Sequence, residues 1–260
     1  MEVNSKNFKI STSHNNIDVC YHRGLLEFRS GANALQSVID PQHPHRLQLK
    51  NLEYLMAVLL FIPDPRRILM LGTAAGSLVH FLRYHYPHSE ITTVDIDSAL
   101  IEQLLQKKFL PPADARLKYV HADAAQFISN CGQRYDLILV DIFSGSQSPA
   151  WLLEKASINN LRRLLTPHGG GLAYNLLIDS EHDFKRFYRD LRLVFDGRTL
   201  CLPVKDLANT IAYGICPTQP PRDMSANMEY AANLSERLGI DFTRVLSVIY
   251  NTNPVGCGVI

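Results

Sequence analysis

The chain has no C-x-x-C pair, no apolar run of membrane-spanning length and almost no net charge, and each absence removes a class of protein. Its five cysteines, Cys20, Cys131, Cys201, Cys216 and Cys257, are odd in number and scattered. Neither a disulfide framework nor a zinc site is supported by that pattern, and a reducing compartment is its natural home. Lys and Arg number 26 against 25 Asp and Glu, for a net charge of +1. No field of one sign is available to gather nucleic acid or an anionic membrane, so any partner is recognised locally. The N-terminus MEVNSKNFKISTSHNN lacks an apolar run of signal-peptide length, and no segment reaches the roughly 18 continuous apolar residues of a membrane span. A soluble, cytoplasmic protein is expected. Also missing are a G-x-S-x-G elbow, a Cys–His nucleophile signature and a P-loop lysine. His80, His85 and His88 lie in or just after one helical segment without an acid or cysteine to complete a metal set, so a solvated helix end is the plainer reading and no metal is expected.

What is present is a chain of 260 residues with 46% hydrophobic side chains, enough for one substantial core and a small appended unit. Residues 1–16 read as a flexible tail. Residues 17–62 hold short β-type runs, IDVCYH, GLLEF and ALQSVI, separated by turn chemistry at Arg23-Gly24 and at Arg29-Ser30-Gly31-Ala32-Asn33, which predicts a small antiparallel hairpin unit. A linking helix follows in HRLQLKNLEYLMAVLLF, where Leu49, Leu52, Leu55, Met56, Leu59 and Leu60 recur at helical spacing. Residues 63–260 alternate strand-like and helix-like segments: RILML with SLVHFLRYHY, ITTVDI with SALIEQLLQKKFL, RLKYVHA with AAQFISN, YDLILVDI with WLLEKASINNLRRLL, and GLAYNLLI with HDFKRFYRDLRLVF. Short connections between such alternations predict a doubly wound, parallel α/β sheet. LILVDI is apolar at nearly every position, as a strand covered on both faces requires. TLCLPV and TIAYGIC, with no helix between them, predict an antiparallel pair at one sheet edge. Arg162 and Arg163 are expected to cap the last turn of their own helix.

In an open α/β sheet, ligands bind beyond the carboxyl ends of the strands where the strand order reverses. The first Rossmann strand ends in LGTAAGS, where Gly72, Thr73, Ala75 and Gly76 let a ligand approach the backbone and a helix N-terminus offers free N–H groups. Alone, such a turn is equally explained by geometry. The second strand ends in VDID: Asp95, followed by Ile96, is placed to accept hydrogen bonds from the two hydroxyls of a ribose, whereas Asp97 reads as the cap of the next helix. The third ends in HADA, where Asp123, followed by Ala124, either receives an exocyclic adenine amine or caps AAQFISN. The fourth ends in VDIFSGSQSP, with Asp141 at the lip of the cleft, either as an acid–base group or as an acceptor for loop N–H groups. Glycines and then three acids at four consecutive strand ends point together to a nucleoside site. The turn is not G-x-G-x-x-G, and the acids of the third and fourth strands have no role in NAD binding, so an oxidoreductase is disfavoured.

The succession LGTAAGS, VDID, HADA, YDLILVD and LLTPHGGGLAYNL resembles the spermidine synthase family of aminopropyltransferases over roughly residues 17–216, and DIFSGSQSP is similar to the divergent bacterial branch of that family. The resemblance implies the class I S-adenosylmethionine-dependent methyltransferase fold, a seven-stranded sheet with an antiparallel edge pair. It implies a transferase whose co-substrate is decarboxylated S-adenosylmethionine or S-adenosylmethionine, a small amine acceptor and a homodimer. By the same resemblance, Gly72 and Gly76 line the methionine-derived part of the co-substrate, Asp95 the ribose, and Asp123 with Ala124 the adenine, with Thr73, Ala75 and Ile96 also among the co-substrate-binding residues. Gln36 helps hold the nucleoside, and Asp141 is the catalytic acid that orients and deprotonates the amine. Two departures stand out: Ala75 replaces the acid that grips the aminopropyl ammonium, and Ser144 replaces a second acid of the fourth-strand loop. The family's Tyr-His or Tyr-Gln pair falls at Lys50-Asn51. A methyltransferase of a small acceptor and a non-catalytic nucleoside-binding homologue are the alternative readings. Phe143 and Trp151 either wall an acceptor pocket or simply pack.

Overall fold

The computed structural model describes residues 7–31, 34–217, 222–254 and 258–260. Residues 1–6 of the expected tail, Ala32 and Asn33 of the expected turn, and Cys257 lie outside the described residues. Four antiparallel strands form the first sheet in sequence order: β1 (Phe8–Ser11), β2 (Asn16–His22), β3 (Leu25–Ser30) and β4 (Ala34–Ile39). β1 corrects the reading of residues 1–16 as a loose tail. Phe8 and Ile10 alternate with polar neighbours, Ile10 is fully buried, and Phe8 stacks on Phe109 with ring centroids 5.9 Å apart. A strand of period two with a buried apolar face is held by that burial.

The linking helix is shorter than the periodicity predicts. α1 spans Lys50–Met56 and tightens into a 3-10 turn at Ala57–Leu60, ahead of Pro63, which cannot continue a helix. The body then alternates as expected: β5 (Arg67–Leu71), α2 (Ser77–His85), β6 (Glu90–Asp95), α3 (Ser98–Gln106), β7 (Leu117–His121), α4 (Ala124–Asn130), β8 (Leu137–Val140), α5 (Lys155–Leu164), β9 (Gly170–Leu176) and α6 (Glu181–Val194). β10 (Thr199–Pro203) and β11 (Thr210–Cys216) follow, then α7 (Met224–Leu238) and α8 (Phe242–Thr252). The second sheet has seven strands in the order β10-β11-β9-β8-β5-β6-β7. β5 to β9 run parallel, and β11 enters antiparallel between β9 and β10.

Alternation along the central strands divides the core into two layers. Ile68 and Met70 of β5 and Leu137 and Leu139 of β8 face α1, α2, α7 and α8. Leu69, Leu71, Ile138 and Val140 face α4, α5 and α6. A third cluster joins the first sheet to α3 through Ile10, Val19, Phe28, Leu100 and Leu104. Arg163 serves a neighbour, not its own helix: its guanidinium donates to the carbonyls of Ile128, Ser129 and Cys131 at the end of α4 at 2.9 to 3.2 Å. Arg162 lies over the Phe195 ring, 5.6 Å from its centroid.

The first sheet is fastened where the site is expected. The Ser37 and Ser77 hydroxyls are 2.8 Å apart, and Ser77 Oγ also donates to the Val38 carbonyl at 3.2 Å. Asp97, fully buried, caps α3 by accepting from Leu100 N at 3.0 Å, as expected. Its other oxygen accepts from Thr12 Oγ1 and Asn15 Nδ2, each at 2.6 Å. Burial works to raise the Asp97 carboxyl, but the Thr12, Asn15 and Leu100 donors outweigh it and hold the group below the ordinary aspartate value. The β1–β2 turn is thereby tied to the first turn of α3, and β4 to the first turn of α2.

Candidate functional site

The sheet order reverses between β5 and β8: the chain builds outward from β5 through β6 to β7, then returns to the other side of β5 to lay down β8. That switch point lies between Gly72 and Asp141. Asp141 N donates to the Leu71 carbonyl at 2.9 Å, and Gly72, with φ of +89°, comes so close that a Cβ there would stand 2.2 Å from the Asp141 carbonyl oxygen. Gly72 is therefore required by the approach of two backbones as well as by its left-handed conformation. Gly76 also has positive φ, +92°, and its missing Cβ makes room for Leu110. The turn holds one further left-handed residue, Ala74, at φ of +46°.

Asp95 is half-buried and bridges the turns after β5 and β6. One carboxylate oxygen accepts from Thr73 N at 2.9 Å, and the other from Asp97 N at 3.0 Å. A carboxylate offers about four lone-pair positions, so each oxygen keeps one for a further donor. The Thr73 and Thr93 hydroxyls pair below it. Asp95 and Thr73 open onto a pocket of about 230 Å³ between α3 and β6–β7, which Ser98, Ile101, Glu102 and Tyr119 help to line. Of the residues singled out in the sequence, Thr73 and Asp95 line this pocket, while Glu102 and Tyr119 were not anticipated. Ile96 follows Asp95 with an exposed side chain.

Asp123 takes the capping role that was one of its two readings: it accepts from Gln126 N at 2.9 Å at the start of α4. Asp123 and Ala124 sit at the carboxyl end of β7, next to the pocket-lining His121 but outside the pocket's lining. Gln36 is exposed on β4, where its amide donates to Ser30 Oγ at 2.6 Å. Ala75 is buried in the cluster between the first sheet and α3. Asp141 stands apart from the pocket, at the end of β8.

Asp141 is the most perturbed carboxyl of the site. Protein atoms crowd it, and that burial pushes it up to about 6; a hydrogen bond from Asn175 Nδ2 to Oδ1 at 2.8 Å pulls the other way. No loop N–H group donates to its side chain among the described residues, so the role of loop acceptor is not the one it fills. Asn175 is fully buried in β9, and its own oxygen accepts from Asn209 Nδ2 at 2.8 Å. Asn175 escaped the sequence reading, although one polar residue in the apolar run LAYNLL was the available signal.

The surroundings settle several smaller questions. Trp151 packs on the face formed by α4, α5 and α6. The loop after β8 is held to the end of β9 by Ser148 N to Leu177 O at 2.9 Å and Leu177 N to Ser148 Oγ at 3.0 Å, and Gln147 pairs with Asp179. Of the three histidines read as a solvated helix end, only His88 is exposed. His80 Nε2 lies 2.8 Å from the Phe109 carbonyl. His85 packs against Phe81, Tyr84 and His45, and its burial lowers it to about 4. Among the described residues no cluster of His, Cys, Asp and Glu is arranged to hold a metal ion, and no helix is long and apolar enough to cross a membrane.

A doubly wound sheet with one antiparallel strand inserted near its edge, and acids at successive strand ends, defines a methyltransferase-like architecture. The comparisons agree. A family model described as the spermine/spermidine synthase domain matches residues 52–176. A polyamine aminopropyltransferase of Neisseria meningitidis is 28% identical over 225 residues, covering 86% of this chain and 85% of the relative. Another, from Chromobacterium violaceum, is 25% identical over 242 residues, covering 93% and 92%. Among solved structures, a probable spermidine synthase from Corynebacterium glutamicum superposes with a TM-score of 0.74 at 19% identity over 95% of this chain and 94% of that one. Human methyltransferase-like protein 13 in complex with SAH gives 0.63 at 24% identity, covering 76% and 92%. Together these similarities support a divergent, spermidine-synthase-like protein.

Proposed function

We propose that this chain is a spermidine-synthase-like transferase that binds S-adenosylmethionine or its decarboxylated form and transfers an aminopropyl or methyl group to an amine. The observation that carries the reading is the pairing of two different acids at the switch point. Asp95, with two acceptor positions still open, suits the vicinal hydroxyls of a ribose. Asp141, crowded enough to sit near 6, is poised to take a proton near neutral pH. A sulfonium co-substrate is already activated, so the protein's task is positioning. Asp141 orients the acceptor amine, whose nitrogen forms the new C–N bond as the C–S bond breaks, and the carboxylate receives the released N–H proton. Thr73 and Asp95 would hold the nucleoside, with Gly72 and Gly76 admitting the methionine-derived chain and Asp123 and Ala124 the adenine. The donor set fits such a ligand: open acceptors face hydroxyl donors, and Ile101, Leu105 and Val120 supply apolar lining.

A second reading, methyl transfer, is favoured by Ala75. The position that grips an ammonium group in the family is here a buried methyl in an apolar cluster, and Ser144 leaves the loop without its second acid. Each lost charge-assisted contact to a polycationic amine is worth about 1.5 to 3 kcal/mol. Calorimetric titration with S-adenosylmethionine, its decarboxylated analogue, methylthioadenosine and NAD separates the readings. Preference for the decarboxylated form supports aminopropyl transfer, and preference for the carboxylated form supports methyl transfer. Binding of NAD alone would overturn both, and nucleoside binding without turnover of any amine would leave a binding homologue. The family's pairing of subunits makes a homodimer the assembly to test by light scattering.

A further inference from the structure

We propose that Asn175 and Asn209 are positioning residues that hold Asp141 so that Oδ2, and not Oδ1, is the oxygen that takes the proton from the acceptor amine. This rests on the reading of Asp141 as the proton acceptor. The argument starts from the donor and acceptor inventory. An ionised carboxylate only accepts, so it draws the NH2 side of the Asn175 amide toward it, and Asn175 Nδ2 donates to Oδ1 at 2.8 Å. If Asp141 became protonated, a free amide would gain by turning over and offering its oxygen to the new O–H. Asn209 prevents that turn: its Nδ2 donates to Asn175 Oδ1 at 2.8 Å, and an inverted Asn175 would set two donors against each other. Asn175 has no exposure to water that would compensate the loss. Oδ1 therefore faces a donor in both protonation states, and the proton can reside only on Oδ2.

The three residues come from three strands. Asp141 follows β8, Asn175 lies on β9 opposite Ile211 of β11, and Asn209 precedes β11. The antiparallel insertion of β11 beside β9 brings Asn209 within reach, which gives that strand a role in the site at the switch point. The titratable and charged groups around β8 include Arg67 on β5, Tyr135 and Asp136 just before β8, Tyr174 on β9, Asp179 after it, Tyr213 on β11, and Lys155, Arg162 and Arg163 on α5. None of them contributes to the state of the Asp141 carboxyl, which responds to its burial and to Asn175. Removing the amide thus leaves burial unopposed.

The test uses the full chain labelled with carboxyl-13C aspartate, with the Asp141 resonance assigned by its loss in Asp141→Asn. In Asn175→Leu the titration midpoint of Asp141 rises by about one pH unit, the size of one hydrogen bond to a charged group. In Asn209→Ala it rises by a smaller amount in the same direction, because the Asn175 amide is then free to invert and stabilise the protonated acid. The acid limb of kcat against pH moves with it, so the loss of rate in Asn175→Leu is about fivefold at pH 6, approaches tenfold at lower pH and shrinks toward pH 9, while KM for the nucleoside is unchanged. Asn175→Ser replaces Asn175→Leu if the latter fails to fold. An unshifted midpoint in both Asn175 and Asn209 variants overturns the proposal, as does a rate loss that is the same at every pH. Because the titration needs no substrate, a shifted midpoint in a protein that turns over no amine supports this inference while the functional reading fails. Turnover with an unshifted midpoint does the reverse.

Discussion

Asp95 and Asp141 are the same residue at the ends of two strands that flank β5, and the fold treats them oppositely. Asp95 receives two backbone N–H groups, from Thr73 and Asp97, and so holds the turns on either side of it while one position on each oxygen stays open. Asp141 receives one side-chain amide in a crowded setting and is pushed up to about 6. Burial is what pushes Asp141 up. The two also differ in backbone donors, because helix-starting turns present free N–H groups and the end of β8 presents none to this side chain among the described residues. A carboxylate fixed by two main-chain donors is an anchor with acceptor positions to spare, whereas Asp141 is held by a side-chain amide in a crowded setting.

The sharpest way to break this contrast is to remove the charge at each position. Asp141→Asn is expected to lower kcat by about 10²- to 10⁴-fold, the usual span for a general base, with nucleoside affinity nearly unchanged, measured by release of the thioether product and by calorimetry. Rate loss with a matching loss of affinity would place Asp141 with Asp95 as a binding group. The same variant reads out in stability. An acid raised from 3.8 to about 6 on folding binds its proton more tightly in the folded chain, so its contribution is present below about pH 4 and is lost as pH rises through 6. The loss is about 3 kcal/mol by linkage. Urea unfolding should show a decline in wild-type stability between pH 4 and 7 that is smaller by that amount in Asp141→Asn.

Gly72→Ala probes the seam between the two acids, since its Cβ would meet the β8 backbone at 2.2 Å on top of a left-handed φ. A loss of about 2 to 3 kcal/mol is expected in the same unfolding assay. Smaller effects separate two acids that accept from backbone N–H groups, the turn-bridging Asp95 and the capping Asp123. Asp95→Asn sets an amide against one of two N–H donors and should cost about 1 to 2 kcal/mol. Asp123→Asn replaces one good N-cap by another and should stay within about 0.5 kcal/mol. If Asp123→Asn weakens nucleoside binding by more than tenfold while leaving stability alone, Asp123 contacts the ligand as well as capping α4.

Much of this was legible from residue order. The five strand–helix alternations, the edge pair and the strand-end acids follow from short-range periodicity and turn chemistry, which is why β5 through β11 fall where the apolar runs do. The site was only partly legible. Pocket-lining residues Glu102 and Tyr119 come from the interior of α3 and from mid-strand β7, where nothing local marks them. Asn175 and Asn209 reach Asp141 only because β11 inserts beside β9, a pairing between segments distant in the chain. Strand β1 was missed because four residues of weak alternation gain their burial from Phe109 and α3, far along the sequence. Arg163 looks like a cap for its own helix and instead closes the end of a neighbour, a choice made by packing.

The fastening of Thr12 and Asn15 to Asp97 carries a practical corollary. Those two donors lie 85 and 82 positions before the carboxylate they satisfy, and that carboxylate heads the helix whose preceding turn carries Asp95. Trimming the chain to start at Ile17, the boundary a compact-domain design would choose, would strip both donors from a fully enclosed charge and loosen the turn of Asp95 from a distance.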